Sequence, residues 1–142
     1  MKNVLVFGTF DNIHPGHEFF LEEAAKHGKC LIVIVARDNF VNRFKNKMPL
    51  HNEMKRLLLI KNHPLVFDAF LADNEIGTYH VFDEVKPDVI CLGHDQTALE
   101  DNLKAWLKEK HLKVHIKRLP SYKREQYSST LLNKLKGKLV HE

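Results

Sequence analysis

The sequence predicts an α/β protein built on an open, mostly parallel five-stranded sheet with helices on both faces. Three observations lead there. Short, β-branched apolar runs recur at residues 4–7, 31–35, 66–71, 89–92 and 114–116, each of strand length. The stretches between them place apolar residues three and four apart, as a helix with one buried face requires. A glycine-containing turn joins the first run to the first helical stretch, and sheets of this kind hold ligands at the carboxyl ends of their strands.

Taken in order, the first run leads into Phe19, Phe20, Leu21, Ala24 and Ala25, which fall on one side of a helix. Glu18, Glu22, Glu23 and Lys26 supply its polar positions, and Gly28 is a stop signal. Strand, crossover helix and second strand form a right-handed unit with parallel strands. Met54, Leu57, Leu58 and Ile60 mark a helix over 52–62, and Leu103, Trp106 and Leu107 mark another over 99–110. Residues 43–51 and 120–126 show no clear period and are rich in lysine and arginine, so they read as loops of the kind that carry function. With no linker, low-complexity stretch or internal repeat, residues 1–142 are expected to form a single domain. Cys30 and Cys91 sit at the edge of or within apolar runs, with no metal-ligand spacing around them, and read as core residues.

Composition narrows the class. Of 142 residues, 44% are hydrophobic and 28% charged, the balance of an ordinary globular domain. The net charge is +4, but acidic and basic residues are interspersed, so no nucleic-acid-binding face is expected; small polyphosphate ligands suit a mildly basic chain equally well. The longest clean apolar run, 31–36, is far shorter than the ~20 residues needed to cross a bilayer. The amino terminus passes straight into strand-like sequence rather than through a secretory leader, so a cytoplasmic protein without membrane attachment is expected.

The chemistry concentrates in Gly8-Thr9-Phe10-Asp11-Asn12-Ile13-His14-Pro15-Gly16-His17. A strand-to-helix junction offers unpaired backbone N–H groups and the positive end of a helix dipole, which together favour an anion such as phosphate. If the helix has begun by residue 14, His14 and His17 share a face and both reach that anion. Gly16 allows close approach. A blander reading of the same residues makes Gly8 the turn, Asp11 a helix cap and the histidines solvated.

This decapeptide resembles the signature of the cytidylyltransferase-like nucleotidyltransferase superfamily, in which Gly-Thr/Val-Phe-Asp precedes His-x-Gly-His. The resemblance implies a Rossmann-like sheet with an NTP over its switch point and two histidines that stabilise phosphate charge during in-line attack on the α-phosphorus. It makes His14 and His17 transition-state residues and Gly8, Thr9, Phe10, Asp11 and Gly16 nucleotide-binding. Lys45 and Lys47 of Lys45-Asn46-Lys47 fall where the family has a basic loop over the triphosphate. Tyr127-Ser128-Ser129-Thr130 resembles the second family signature, which opens a final helix and binds phosphate; a simple Ser/Thr cap is the alternative. The lead-in is Lys123-Arg124-Glu125-Gln126 where the family has Arg-Thr-Glu-Gly, and Arg124 is the phosphate candidate there.

Two stretches, Ile32-Val33-Ile34-Val35-Ala36-Arg37-Asp38 and Leu92-Gly93-His94-Asp95-Gln96-Thr97, look like the corresponding segments of archaeal-type FAD synthases, with glycerol-3-phosphate cytidylyltransferases next. By that resemblance Gly93, Asp95 and Thr97 line the nucleotide pocket, Asp38 faces the acceptor and Arg56 faces phosphate. Each also reads as a turn, cap or solvated helix residue. The implied reaction is NMP transfer from an NTP to a phosphate monoester with release of pyrophosphate. AMP passing from ATP to FMN is the preferred version, and CTP with glycerol 3-phosphate or a similar polyol or amino-alcohol phosphate is the rival. Mg²⁺ or a similar divalent cation would accompany the triphosphate, held chiefly by phosphate and water rather than by a protein cage. A homodimer is implied by resemblance alone. A nucleotide-binding module without turnover is a further alternative.

Overall fold

The computed structural model describes residues 2–11, 15–45, 49–73 and 78–120. In chain order the elements are β1 (Asn3–Gly8), α1 (Pro15–Ala25), β2 (Cys30–Val35), α2 (Asp38–Lys45), α3 (Glu53–Lys61), β3 (Asp68–Leu71), α4 (Val81–Glu84), β4 (Val89–Leu92), α5 (Thr97–Glu109) and β5 (His115–Arg118). The five strands form one sheet in the order β3-β2-β1-β4-β5, and every pairing is parallel. Strand order therefore reverses between β1 and β4, which makes the carboxyl ends of those two strands the switch point.

Period-two alternation divides the buried residues between two faces. Val4, Val6, Leu31, Val33, Val35, Val89 and Cys91 pack with Leu21 and Ala24 of α1 and Leu57 and Ile60 of α3. On the other face Leu5, Ile32, Ile34, Ile90 and Leu92 pack with Leu103 and Leu107 of α5 and with Val85. Both faces are thus covered by helices, as a parallel sheet demands. Tyr79, Phe82 and Trp106 extend the second cluster, Tyr79 edge to face with both other rings and Trp106 tilted against Phe82; the Trp106 ring centroid lies 5.2 Å from Tyr79 and 4.9 Å from Phe82. The Tyr79 hydroxyl donates to Asn102, and burial pushes its pKa up to about 12. Trp106 is half-buried against the core, on the face its spacing predicts.

Strand runs 4–7, 31–35 and 89–92 all fall within the observed strands. The third is shorter than expected because Val66 closes a turn onto the His63 carbonyl (3.1 Å), and regular pairing begins at Asp68. Two helices were not expected. One is α4, a single turn too short for a period to register. The other is α2, which runs to Lys45 and into the stretch read as loop from residue 43. It starts where it does because the carboxylate of Glu53, on another helix, caps the Asp38 N–H at 3.0 Å, a contact with no local sequence mark. Cys30 and Cys91 are both buried thiols, and burial raises the Cys91 pKa to about 11.

Candidate nucleotide site at the switch point

β1 ends at Gly8, and the chain turns sharply through Thr9, Phe10 and Asp11. Phe10 takes a φ of 52°, in the left-handed region that costs a non-glycine residue roughly 1–2 kcal/mol. What holds it there is burial: its ring is only 2% exposed and packs edge-on against His17, centroids 5.4 Å apart, and against Phe20 at 6.4 Å. Gly8 is the counterpart. A methyl group at that position would meet Phe10 Cε2 at 2.5 Å and Cζ at 2.6 Å, so only glycine lets the ring fold back over the strand end. Phe10 was expected to bind nucleotide; its ring is core, and what it contributes is the shape of the turn and a wall for the His17 imidazole.

α1 opens with Pro15, whose lack of an N–H is harmless at a first helical position. His17 thus lies in the first turn of α1, beside the amino-terminal amides, with its ring half-buried. His14 precedes the helix in sequence and lies outside the described residues, as do Lys47, Arg124, Tyr127, Ser128, Ser129 and Thr130. Lys45 is the last residue of α2.

Asp11 reaches well beyond the turn it sits in. Its carboxylate accepts the backbone N–H groups of Leu50 at 2.6 Å and His51 at 2.7 Å, tying the signature turn to the lead-in of α3. Burial works to raise its pKa, but these two N–H donors and the nearby Arg56 charge outweigh it and hold the carboxyl below the usual value of 3.8.

Arg56 is neither solvated nor turned toward a phosphate. It is fully buried, and its guanidinium donates to the carbonyls of His51 (3.0 Å), Thr9 (2.9 Å) and Ala36 (2.7 Å) and to Asp38 Oδ1 at 2.6 Å. The planar fork thereby joins the ends of β1 and β2 to the start of α3, a geometry that a lysine cannot reproduce. Asp38 was expected to face the acceptor. In the structure its Oδ1 takes Arg56 and its Oδ2 the Glu53 N–H at 3.2 Å, while Glu53 Oε1 takes the Asp38 N–H at 3.0 Å. Each helix, α2 and α3, is capped by the other's first carboxylate. Arg37 completes the network, donating to Glu53 Oε2 at 2.9 Å and to the Ala72 carbonyl at 2.7 Å. Sequence alone gives Arg37 only a place in the stretch 32–38 and Glu53 none; Glu53's one local mark is its position directly after Asn52, which caps α3 through the Lys55 N–H at 2.9 Å.

Across the switch point, β4 leads into Gly93, His94 and Asp95 and then α5. His94, Asp95 and Thr97 are exposed at this edge and Gly93 is half-buried. A methyl group on Gly93 would sit 3.2 Å from Asp95 Oδ1, so the loop closes tightly over that α-carbon. Arg118, from the end of β5, donates to the His94 carbonyl at 3.1 Å and to Glu100 Oε1 at 2.8 Å, pinning the loop to the first turn of α5. The described structure therefore places Gly8, Thr9, Asp11, Gly16, His17, Gly93, Asp95 and Thr97 at the two strand-to-helix junctions flanking the reversal of strand order, with Phe10, Arg56 and Asp38 packed or hydrogen-bonded around them. Among the described residues no group of three or more histidine, cysteine, aspartate or glutamate side chains is disposed to hold a metal ion.

Residues 5–135 match the family model described as cytidylyltransferase-like. A protein named FAD synthase from Methanothermobacter marburgensis is 38% identical over 133 residues, covering 92% of this chain and 81% of the relative. Another of that name, from Ferroglobus placidus, is 42% identical over 119 residues, covering 84% and 76%. Among solved structures, a protein from Thermoplasma volcanium described as a lipopolysaccharide core biosynthesis protein superposes with a TM-score of 0.76 at 36% identity, over 86% of this chain and 98% of that one.

Proposed function

We propose, from the premise that this chain belongs to the cytidylyltransferase-like family, that it is an FMN adenylyltransferase, moving AMP from ATP onto the phosphate of FMN to give FAD and pyrophosphate. The observation that carries the reading is a match along nine-tenths of the chain to archaeal proteins named FAD synthase. The geometry supports the reaction type: a strained turn, a helix amino end and a half-buried imidazole meet at the switch point of a parallel sheet.

In this reading a phosphate oxygen of FMN attacks the α-phosphorus of ATP in line. One P–O bond forms as the bond to pyrophosphate breaks, and the β- and γ-phosphates leave carrying the displaced electron pair. Such a transfer asks the protein for positioning and charge stabilisation rather than covalent chemistry. His14, His17, Lys45 and Lys47 meet the developing charge. Gly8, Thr9, Asp11, Gly16, Gly93, Asp95 and Thr97 frame the nucleotide, and Tyr127, Ser128, Ser129, Thr130 and Arg124 close on its phosphates. A divalent cation such as Mg²⁺ travels with the triphosphate, held chiefly by phosphate and water.

We also read the chain as one cytoplasmic catalytic domain acting as a homodimer. No described helix is long and apolar enough to cross a membrane. Met54, Leu58 and Phe67, exposed at 55%, 56% and 66% on α3 and just before β3, offer apolar surface for pairing.

The test crosses the four NTPs with FMN, glycerol 3-phosphate and ethanolamine phosphate and reads pyrophosphate. ATP with FMN is expected to give a yellow dinucleotide at the highest kcat/KM. CTP-dependent turnover of a polyol phosphate without FAD formation would overturn the choice of acceptor, and nucleotide binding without pyrophosphate release from any pair would overturn the reaction.

A further inference from the structure

We propose that Gln96 is a positioning residue of the nucleotide site, its side-chain amide standing in for a missing stretch of sheet at the switch point. β1 pairs with β2 along all six residues, to Gly8 and Val35, and β4 pairs with β5 to Leu92 and Arg118. Between β1 and β4, by contrast, register stops at Leu5 and Ile90, so the two strands part before either one ends. The Phe7 carbonyl and the Gly93 N–H are left beside the opening, where buried backbone polar groups need partners. Gln96 supplies both. Its Nε2 donates to the Phe7 carbonyl at 3.0 Å and its Oε1 accepts the Gly93 N–H at 2.8 Å. Because one partner only accepts and the other only donates, the orientation of the amide is determined.

The bridge joins the roots of the two loops that flank the crevice. Phe7 precedes Gly8, where the strained turn begins, and Gly93 opens the loop that carries Asp95. Spending the amide this way has a second effect. Gln96 occupies the N-cap position of α5 yet its side chain makes no capping hydrogen bond. A residue placed only to start the helix would cap it; this one spans the gap instead.

The inference rests on the nucleotidyltransferase reading of the same site and says which substrate Gln96 governs. The bridge sets the separation of the two loops that the proposed function gives to the nucleotide, so ATP is the substrate it governs. Gln96→Met keeps the length and loses both hydrogen bonds; Gln96→Asn keeps the amide but is one methylene too short to reach both partners. Each is expected to raise KM for ATP about ten-fold, as the nucleotide loops lose preorganisation. KM for FMN should stay within about two-fold and kcat within about three-fold. Thermal unfolding of each variant shows whether it folds. Loss of Tm with both KM values unchanged, or a fall in kcat proportional to folded protein, would reduce Gln96 to a structural staple and overturn the proposal. Calorimetric titration of ATP into wild type and variants separates the two readings. If wild type binds ATP but makes no FAD, the acceptor assignment falls, while weaker ATP binding by the folded variants still supports Gln96 and equal affinity still refutes it.

Discussion

Replacing Arg56 with methionine removes a buried cation while keeping most of its aliphatic stem. The guanidinium has no exposed surface and serves three carbonyls and the Asp38 carboxylate at 2.6–3.0 Å. Truncating one member of a buried charged pair costs about 3–5 kcal/mol, because the remaining partner stays desolvated and unpaired. Asp38 is 28% exposed and regains some water, which offsets part of that loss. The orphaned carbonyls of Thr9, Ala36 and His51 add to it, and the expected total is about 4 kcal/mol. For a chain of this length the unfolding entropy is about 0.3 kcal/mol per kelvin, so Tm should fall by roughly 10–15 °C. Urea unfolding should show a matching drop in midpoint, and Arg56→Lys, which keeps the charge but not the fork, should fall between. A phosphate-binding arginine predicts the opposite signature. A methionine variant with Tm within about 2 °C of wild type and KM for ATP raised ten-fold or more would refute the structural assignment.

Gly8→Ala should force the Phe10 ring off the strand end and with it the wall of His17. A loss of about 1–3 kcal/mol by denaturant titration and a fall in kcat of more than ten-fold are expected, and an unaltered variant would show that the turn relaxes freely. His17→Ala should lower kcat at least ~10²-fold with Tm close to wild type; activity that tracked folded protein would remove the residue from the chemistry. Asp11 and Asp73 both have pKa values held below 3.8, so the stability they contribute is complete above the unfolded pKa and is lost as pH falls through their folded values. Asp11→Asn should therefore flatten the acid limb of a stability-against-pH curve below about pH 4, and an unchanged slope would count against its hydrogen bonds to Leu50 and His51. Thiol reagent at pH 8 should label neither cysteine in the native protein and both after denaturation; rapid native labelling of Cys91 would contradict its burial.

What the sequence determined by itself was whatever depends on local period and local chemistry. β2 reads as strand from the apolar, β-branched run at 31–35, α5 reads as helix from Leu103 and Leu107 on one side, and the turn from Gly8 to Asp11 is recognisable as a strand-to-helix junction from its glycine and polar residues close together. Only the tertiary structure decided what the individual charged residues do. Arg56 has the same spacing whether its guanidinium meets phosphate, water or the Thr9 carbonyl, 47 positions away in the chain. Asp38 and Glu53 cap each other's helices across 15 residues, and Gln96 reaches Phe7 across 89. Periodicity reports which side of an element is buried, because burial repeats with the backbone. A hydrogen bond made once, between segments brought together by the closing of the sheet, leaves no repeat to read.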